Sequence, residues 1–282
     1  METIDICLKK YNLPFDTKNA VLLYGGSRSK AYFVGENIVR IPTQDKFLVE
    51  QARETNISQI IQNNIPADSQ NMVPSLVFTG QCTYHKQIKG NLLHNVFHTL
   101  TTEDKKNLAQ DIAKLLFAIH SIAIDKFETI QKKYDKTCSN ENKTILEDFN
   151  YEIAKQHILN CSDNTLNLDD FKTNIPTSPI ALCHNDLHSQ NIIIDENNRL
   201  AGFIDFGEAG INPLITDFFH LYRLEGSFAR NVIKEYNKIT NYPISILAAD
   251  YQFLSNTGYH LEKRKERTSF TAEVQKVLRK FL

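Results

Sequence analysis

Apolar residues in this chain follow two rhythms, and the change comes near residue 90. Before it they fall in short runs: Ala20–Tyr24 (AVLLY), Ala31–Val34 (AYFV), Ile38–Ile41 (IVRI), Leu76–Thr79 and Tyr84–Ile88. Short runs bounded by glycine and asparagine predict strands. The trio Gly35-Glu36-Asn37 between the second and third suits a hairpin turn. Between the third and fourth runs, Val49, Ala52, Ile57, Ile60 and Ile61 recur at helical spacing and predict a helix over 47–61. Strands around one helix make a small α+β unit.

Beyond Gly90 the period lengthens. Thr101 and Thr102 precede two acids, Glu103 and Asp104, which marks a helix start. Leu108, Ile112, Leu115, Leu116 and Ile119 continue it as an amphipathic stripe. Helical patterns also cover 144–160, 228–240, 245–261 and 269–281. One stretch interrupts them. Ala181–His184 leads into a loop, and Asn191–Asp195 and Leu200–Phe206 then flank the turn Glu196-Asn197-Asn198-Arg199, a β-hairpin inside a helical region. The two ends of that hairpin hold the densest polar chemistry in the chain.

The 282 residues suffice for one large unit or two modest ones. A formal charge of −1 excludes the broad basic surface of a dedicated nucleic-acid binder. The longest apolar run, Leu115–Ile124, is broken by His120 and Ser121 and is too short to span a membrane. Five scattered cysteines without a CxxC pair, behind an N-terminus that lacks a signal-peptide pattern, point to the cytoplasm. The charge divides unevenly: residues 1–90 carry +2, residues 91–258 carry −7 and residues 259–282 carry +4. This division is compatible with two lobes and a cationic ligand in the second, and equally with ordinary surface variation.

The hairpin ends read His184-Asn185-Asp186-Leu187-His188-Ser189-Gln190-Asn191 and Ile204-Asp205-Phe206-Gly207. Phosphoryl transfer asks little of a protein: a carboxylate for the acceptor's hydroxyl proton, and hard oxygen ligands for Mg²⁺ on the phosphates. Asp186 and Asn191 fit the kinase catalytic-loop spacing, and Asp205 fits the metal aspartate of a D-F-G turn. Each alone is commonplace, but the ordered set around a hairpin is not. Upstream, Gly25–Lys30 (GGSRSK) joins the first two strands with small residues and backbone N–H groups, so Ser27 and Ser29 are candidate phosphate contacts. Arg40 is the natural strand cation and Glu54 its helix partner. A rival zinc set, Cys82 and His85 with His94 and His98, lacks a second cysteine pair.

The segments VRIP, KQIKG, FAIHSIAID, LCHNDLHSQNIIID, FIDFGEAGINPLITDF and GYHLEKRKE resemble the aminoglycoside phosphotransferase family, nearest to its 2″-phosphotransferases. The likeness runs from about Gly26 to Arg267. It implies a bilobal protein-kinase-like α+β fold, with residues 1–90 as the nucleotide lobe and 91–282 as the catalytic and acceptor lobe. It also implies Asp186 as catalytic aspartate, Asn191 and Asp205 as Mg²⁺ ligands, and Arg40 with Glu54 on the phosphates. His184 and Asp217 would support the loop. Ile38, Ile88, Ile193 and Ile204 would line the base slot, with Gln87–Lys89 as hinge.

The expected donor is ATP or GTP, and the acceptor a small hydroxyl-bearing molecule. Aminoglycosides are polycations, yet the residues after Asp217 run Phe218-Phe219-His220-Leu221-Tyr222-Arg223-Leu224-Glu225, with one acid among them. Glu208, Glu225, Asp250 and Glu262 are the remaining candidates for a cationic acceptor. The alternatives are a kinase for a choline-, homoserine- or sugar-like alcohol, and a catalytically idle nucleotide-binding module.

Overall fold

In the computed structural model, the structure describes residues 20–25, 28–134, 178–246, 248–250 and 253. The helices expected over 144–160 and 269–281, most of that over 245–261, and the candidates Ser27 and Glu262 lie outside them.

Five antiparallel strands form the first sheet: β1 (Val21–Gly25), β2 (Ser29–Val34), β3 (Asn37–Pro42), β4 (Val77–Phe78) and β5 (Thr83–Lys86), in the order β1-β2-β3-β5-β4. Side chains alternate along β3, so Val39 and Ile41 are buried while Ile38 and Arg40 leave by the other face. Val39 and Ile41 join Val34 and Cys82 in a small separate cluster. The strand expected over Tyr84–Ile88 ends at Lys86. Ile88 is half-buried in the link that follows, while Gln87 still donates its N–H to the Glu36 carbonyl at 2.9 Å.

Helix α1 (Leu48–Asn64) follows β3. Its buried face departs from the expected one: Gln51, Glu54, Thr55 and Ser58 turn inward with Ile57 and Ile61, whereas Val49 is 36% exposed. Among the described residues the Gln51 amide oxygen on that face lacks a hydrogen-bond partner, while the other polar side chains are engaged. Glu54 meets Arg40, Ser58 hydrogen-bonds the Pro74 carbonyl, and Thr55 donates to the Gln51 carbonyl at 2.9 Å. A helix flanking a polar cleft need not present an apolar stripe.

Past Gly90, strand β6 (Asn91–Leu92) pairs with β8 (Ile192–Ile194), and β8 with β9 (Leu200–Phe203). Helix α2 (Thr102–His120) opens on a capping box. The Thr101 hydroxyl accepts from Asp104 N–H at 3.1 Å, and Asp104 accepts from Thr101 N–H at 3.0 Å. Helix α3 (Asp125–Tyr134) follows, and later α4 (Gly226–Asn237) packs near α2. Strand β7 (Ile180–Cys183) pairs with β10 (Gly210–Pro213), a partner that the hydrophobic pattern did not reveal. The predicted strand Leu200–Phe206 stops at Phe203, because Asp205 adopts a left-handed conformation and a 3₁₀ turn, Phe206–Glu208, takes over.

One large apolar core holds Leu108, Ile112, Leu116, Phe203, Phe206, Phe218 and Phe228, and it includes Ile57 and Ile61 of α1. The main core therefore reaches back across residue 90 to the helix that carries Glu54. No helix among the described residues is long and apolar enough to cross a membrane.

Gly90 lies where the chain passes from the first sheet into β6. Its φ of 143° is open to glycine, and a Cβ there would come 2.2 Å from the Ile194 carbonyl oxygen. Gly90→Ala is expected to destabilise the fold by about 2 kcal/mol or more, read as a lowered thermal midpoint. An unchanged midpoint would show that the two backbones can separate at no cost.

Candidate active site

The loop His184–Asn191 begins where β7 ends. Asp217, fully buried on the short helix Thr216–Phe219, accepts from His184 N–H at 2.8 Å and Asn185 N–H at 2.7 Å. These bonds hold the turn at Asn185, whose φ is +66°. Behind Asp217, His120 Nε2 lies 3.0 Å from Oδ2, and His120 Nδ1 lies 3.0 Å from the Tyr236 hydroxyl. His184 ties the loop to the hairpin. Its Nδ1 accepts from Asp186 N–H at 3.3 Å, so Nε2 carries the hydrogen facing the Ile204 carbonyl at 2.9 Å. The Phe206 ring lies against the imidazole, with centroids 4.5 Å apart.

Asp186 is thus fixed by its backbone, while its side chain stays 35% exposed. Its Oδ2 lies 3.5 Å from both Asn191 Nδ2 and His188 Nε2, and Oδ1 lies 3.8 Å from His220 Nε2. Burial, followed by the charges of Asp205 and Glu208, pushes the Asp186 carboxyl up to about 7, against the pull of Arg223 and Arg28. Burial first, then Arg223 and the neighbouring histidines, holds His220 well below the usual imidazole range. The His220 ring therefore stands, disfavoured as a cation, beside the Asp186 carboxylate.

The hairpin brings the remaining groups to this point. Ile204 N–H donates to the Asn191 carbonyl at 2.9 Å, closing the two strands next to Asp205. Asn191 Nδ2 donates to the Asp186 carbonyl at 2.8 Å, which leaves its amide oxygen as the group to offer a cation. Asp205 is a non-glycine residue with φ 64° and ψ 68°, half exposed, a conformation that turns its carboxylate out of the strand. Two hard oxygen donors beside a second carboxylate, Asp186, suit Mg²⁺, not a soft-ligand metal.

Across the cleft, Arg40 Nη1 donates to both Glu54 oxygens at 2.6 and 2.7 Å, and its Nη2 lies 3.7 Å from Asp205 Oδ1. Burial raises the Glu54 carboxyl, opposed chiefly by Arg40. The pair is thus desolvated, and losing either partner would strand the other. Next to Glu54, Arg53 donates to the carbonyls of Gly207 and Ala209 at 2.8 and 2.6 Å and binds α1 to the segment after Asp205.

The other expected residues are scattered. Ser29 opens β2 opposite Pro42. Ile38, Ile88 and Ile204 are half-buried and Ile193 is 8% exposed. Glu208, 44% exposed, is bonded to Arg28 at 2.6 Å. Glu225 sits at the start of α4, engaged by Lys105 at 2.7 Å and Ser227. Asp250 is 4% exposed and gripped by Arg230, through Nε at 3.0 Å and Nη2 at 2.9 Å. That places Asp250 in an internal ion pair and closes it to an acceptor.

The zinc set does not assemble. Cys82 is buried beside Thr79, His85 faces the Lys86 carbonyl, and His94 meets Ser189. Among the described residues, the cluster of metal-type side chains is instead His120, Cys183 and Asp217, whose donors serve the loop support. Sequence reasoning missed His120, His220, Arg53 and the pairing of Arg28. His120 alone left a signal, as a polar residue four positions after Leu116 on a buried stripe.

A model of the phosphotransferase enzyme family matches residues 21–244. The chain belongs to that family. Among solved structures it is similar to aminoglycoside phosphotransferase APH(2″)-Ib with ADP bound, at 23% identity and a TM-score of 0.65, covering 98% of this chain and 96% of that one. The streptomycin–ATP ternary complex of APH(2″)-IIa matches at 21% identity and a TM-score of 0.66, over 97% and 94%. Macrolide 2′-phosphotransferase MphH from Brachybacterium faecium matches at 12% and 0.65, over 97% of each chain. At such identities the likeness establishes a shared kinase-like α+β fold.

Proposed function

We propose that this phosphotransferase moves the terminal phosphoryl group of ATP or GTP to a hydroxyl of a small molecule. The supporting observation is the convergence of Asp186, Asn191 and Asp205 at the open end of one hairpin, with the Arg40–Glu54 pair reaching Asp205 from the opposite side. Residues 1–90 supply the nucleotide side and 91–282 the catalytic and acceptor side, although one core serves both.

Asp186 orients the acceptor hydroxyl and takes its proton, and its backbone is held for this by His184 and Asp217. Asn191 and Asp205 would hold Mg²⁺, which supplies neutralising charge to the phosphates. Arg40 adds a fixed cation there, kept in place by Glu54. Ile38, Ile88, Ile193 and Ile204 offer apolar surface for a base. Positioning and electrostatics supply most of the rate enhancement in such a site. A cytoplasmic setting, where both nucleotides are at hand, suits this chemistry.

The similar structures that hold streptomycin or act on macrolides justify including both drug classes among the acceptors to be tried. The experiment is a transfer screen with ATP and GTP against aminoglycosides, macrolides and choline-, homoserine- and sugar-like alcohols, with the phosphorylated product identified by mass. Product formation with at least one hydroxyl acceptor is expected. Nucleotide binding with no transfer to any acceptor would return the chain to an idle binding module.

A further inference from the structure

Arg28 spans the cleft. Its backbone carbonyl, at the β1–β2 turn, accepts from Thr43 N–H at 2.9 Å and the Thr43 hydroxyl at 3.1 Å. Its guanidinium extends to Glu208, three residues beyond Asp205, where Nη1 meets Oε1 at 2.6 Å. Glu50 of α1 lies on its other side at 3.5 Å. Arg28 and Glu208 are 57% and 44% exposed, so the contact joins the first sheet to the catalytic segment through solvent-accessible side chains.

We propose that this ion pair is a latch on the donor site, in which Glu208 occupies a phosphate-binding arginine until the triphosphate of the incoming nucleotide takes its place. The proposal rests on the phosphotransferase reading above. It reassigns Glu208 from acceptor recognition to restraint of Arg28, and adds Arg28 to Arg40 as a cation for the phosphates. Both charges reach the reacting centre: Glu208 pushes the Asp186 carboxyl up and Arg28 pulls it down. Asp205 lies within the field of Arg28 as well. A guanidinium can bond either group through two parallel N–H donors, but a triphosphate carries several negative charges against the one of a half-solvated carboxylate. An exposed ion pair contributes little to stability, so the exchange costs the protein little.

The test is titration of wild type, Glu208→Gln, Arg28→Ala and the double variant with Mg–ATP and with adenosine, or with Mg–GTP and guanosine should wild type bind GTP alone. Both side chains are half exposed, and thermal midpoints verify that each variant is folded. Glu208→Gln is expected to tighten ATP about three- to fivefold at low salt, and adenosine not at all. Arg28→Ala should weaken ATP, and adding Glu208→Gln to it should restore nothing. The gain should vanish in about 1 M salt, where screening is nearly complete.

Unchanged or weaker ATP binding by Glu208→Gln overturns the latch. So does a gain that persists without Arg28, because removing a negative charge near phosphates would then explain it. If neither wild type nor any variant binds Mg–ATP or Mg–GTP, the phosphotransferase reading itself fails, and the latch with it.

Discussion

Replacing Asp186 by asparagine is expected to lower turnover by roughly 10²- to 10⁴-fold, the range typical of a lost general base. The amide keeps the carboxylate's shape and can still meet Asn191 Nδ2, so the loop should stay folded. It cannot take the acceptor's proton. Nucleotide affinity should hold or rise slightly, because the carboxylate faces the like charges of Asp205 and Glu208. Steady-state kinetics and nucleotide titration on the same preparation separate the two effects. Wild-type turnover in this variant would remove Asp186 from the mechanism.

Asp217 should produce the largest loss of stability. Its two oxygens accept from two backbone N–H groups of the catalytic loop and face His120, all without solvent. Asp217→Ala leaves those donors buried and unmet, at about 3–5 kcal/mol. Asp217→Asn retains one acceptor oxygen and points an N–H₂ at a group that also donates. A smaller drop in melting temperature with a disproportionate loss of turnover is the expected result, since the loop carrying Asp186 loses one of its two anchors. An asparagine variant that melts and turns over like wild type would show that the loop is held elsewhere.

The chemistry was legible where it is contiguous. The loop from His184 to Asn191 and the turn at Asp205 stand at two ends of a hairpin whose alternation and turn residues declare themselves. Arg40 was legible as the cation on the third strand, and Glu54 through its place on the next helix. What stayed hidden depends on distant pairing. Asp250 reads as an available acid until Arg230, on another element, claims it. Helix α1 reads as amphipathic about Val49 and Ile60, but Glu54 turns inward to Arg40, and Ser58 and Thr55 turn inward to backbone carbonyls. His220 sits in an apolar run, and nothing local indicates that its ring faces Asp186. Strand β10 contains a proline and, among the described residues, pairs with β7 alone, so its alternation was too weak to see.

Arg40 and Glu54 face each other across an inequality of support. Glu54 stands on a helix anchored in the main core through Ile57 and Ile61, whereas Arg40 stands on a sheet whose own buried apolar cluster is Val34, Val39, Ile41 and Cys82. The sheet is the less deeply anchored wall of the cleft, and it is the wall expected to yield if the cleft opens. On that view the ion pair works as a hinge pin, and the give of that wall depends on a handful of apolar side chains, Val34, Val39, Ile41 and Cys82.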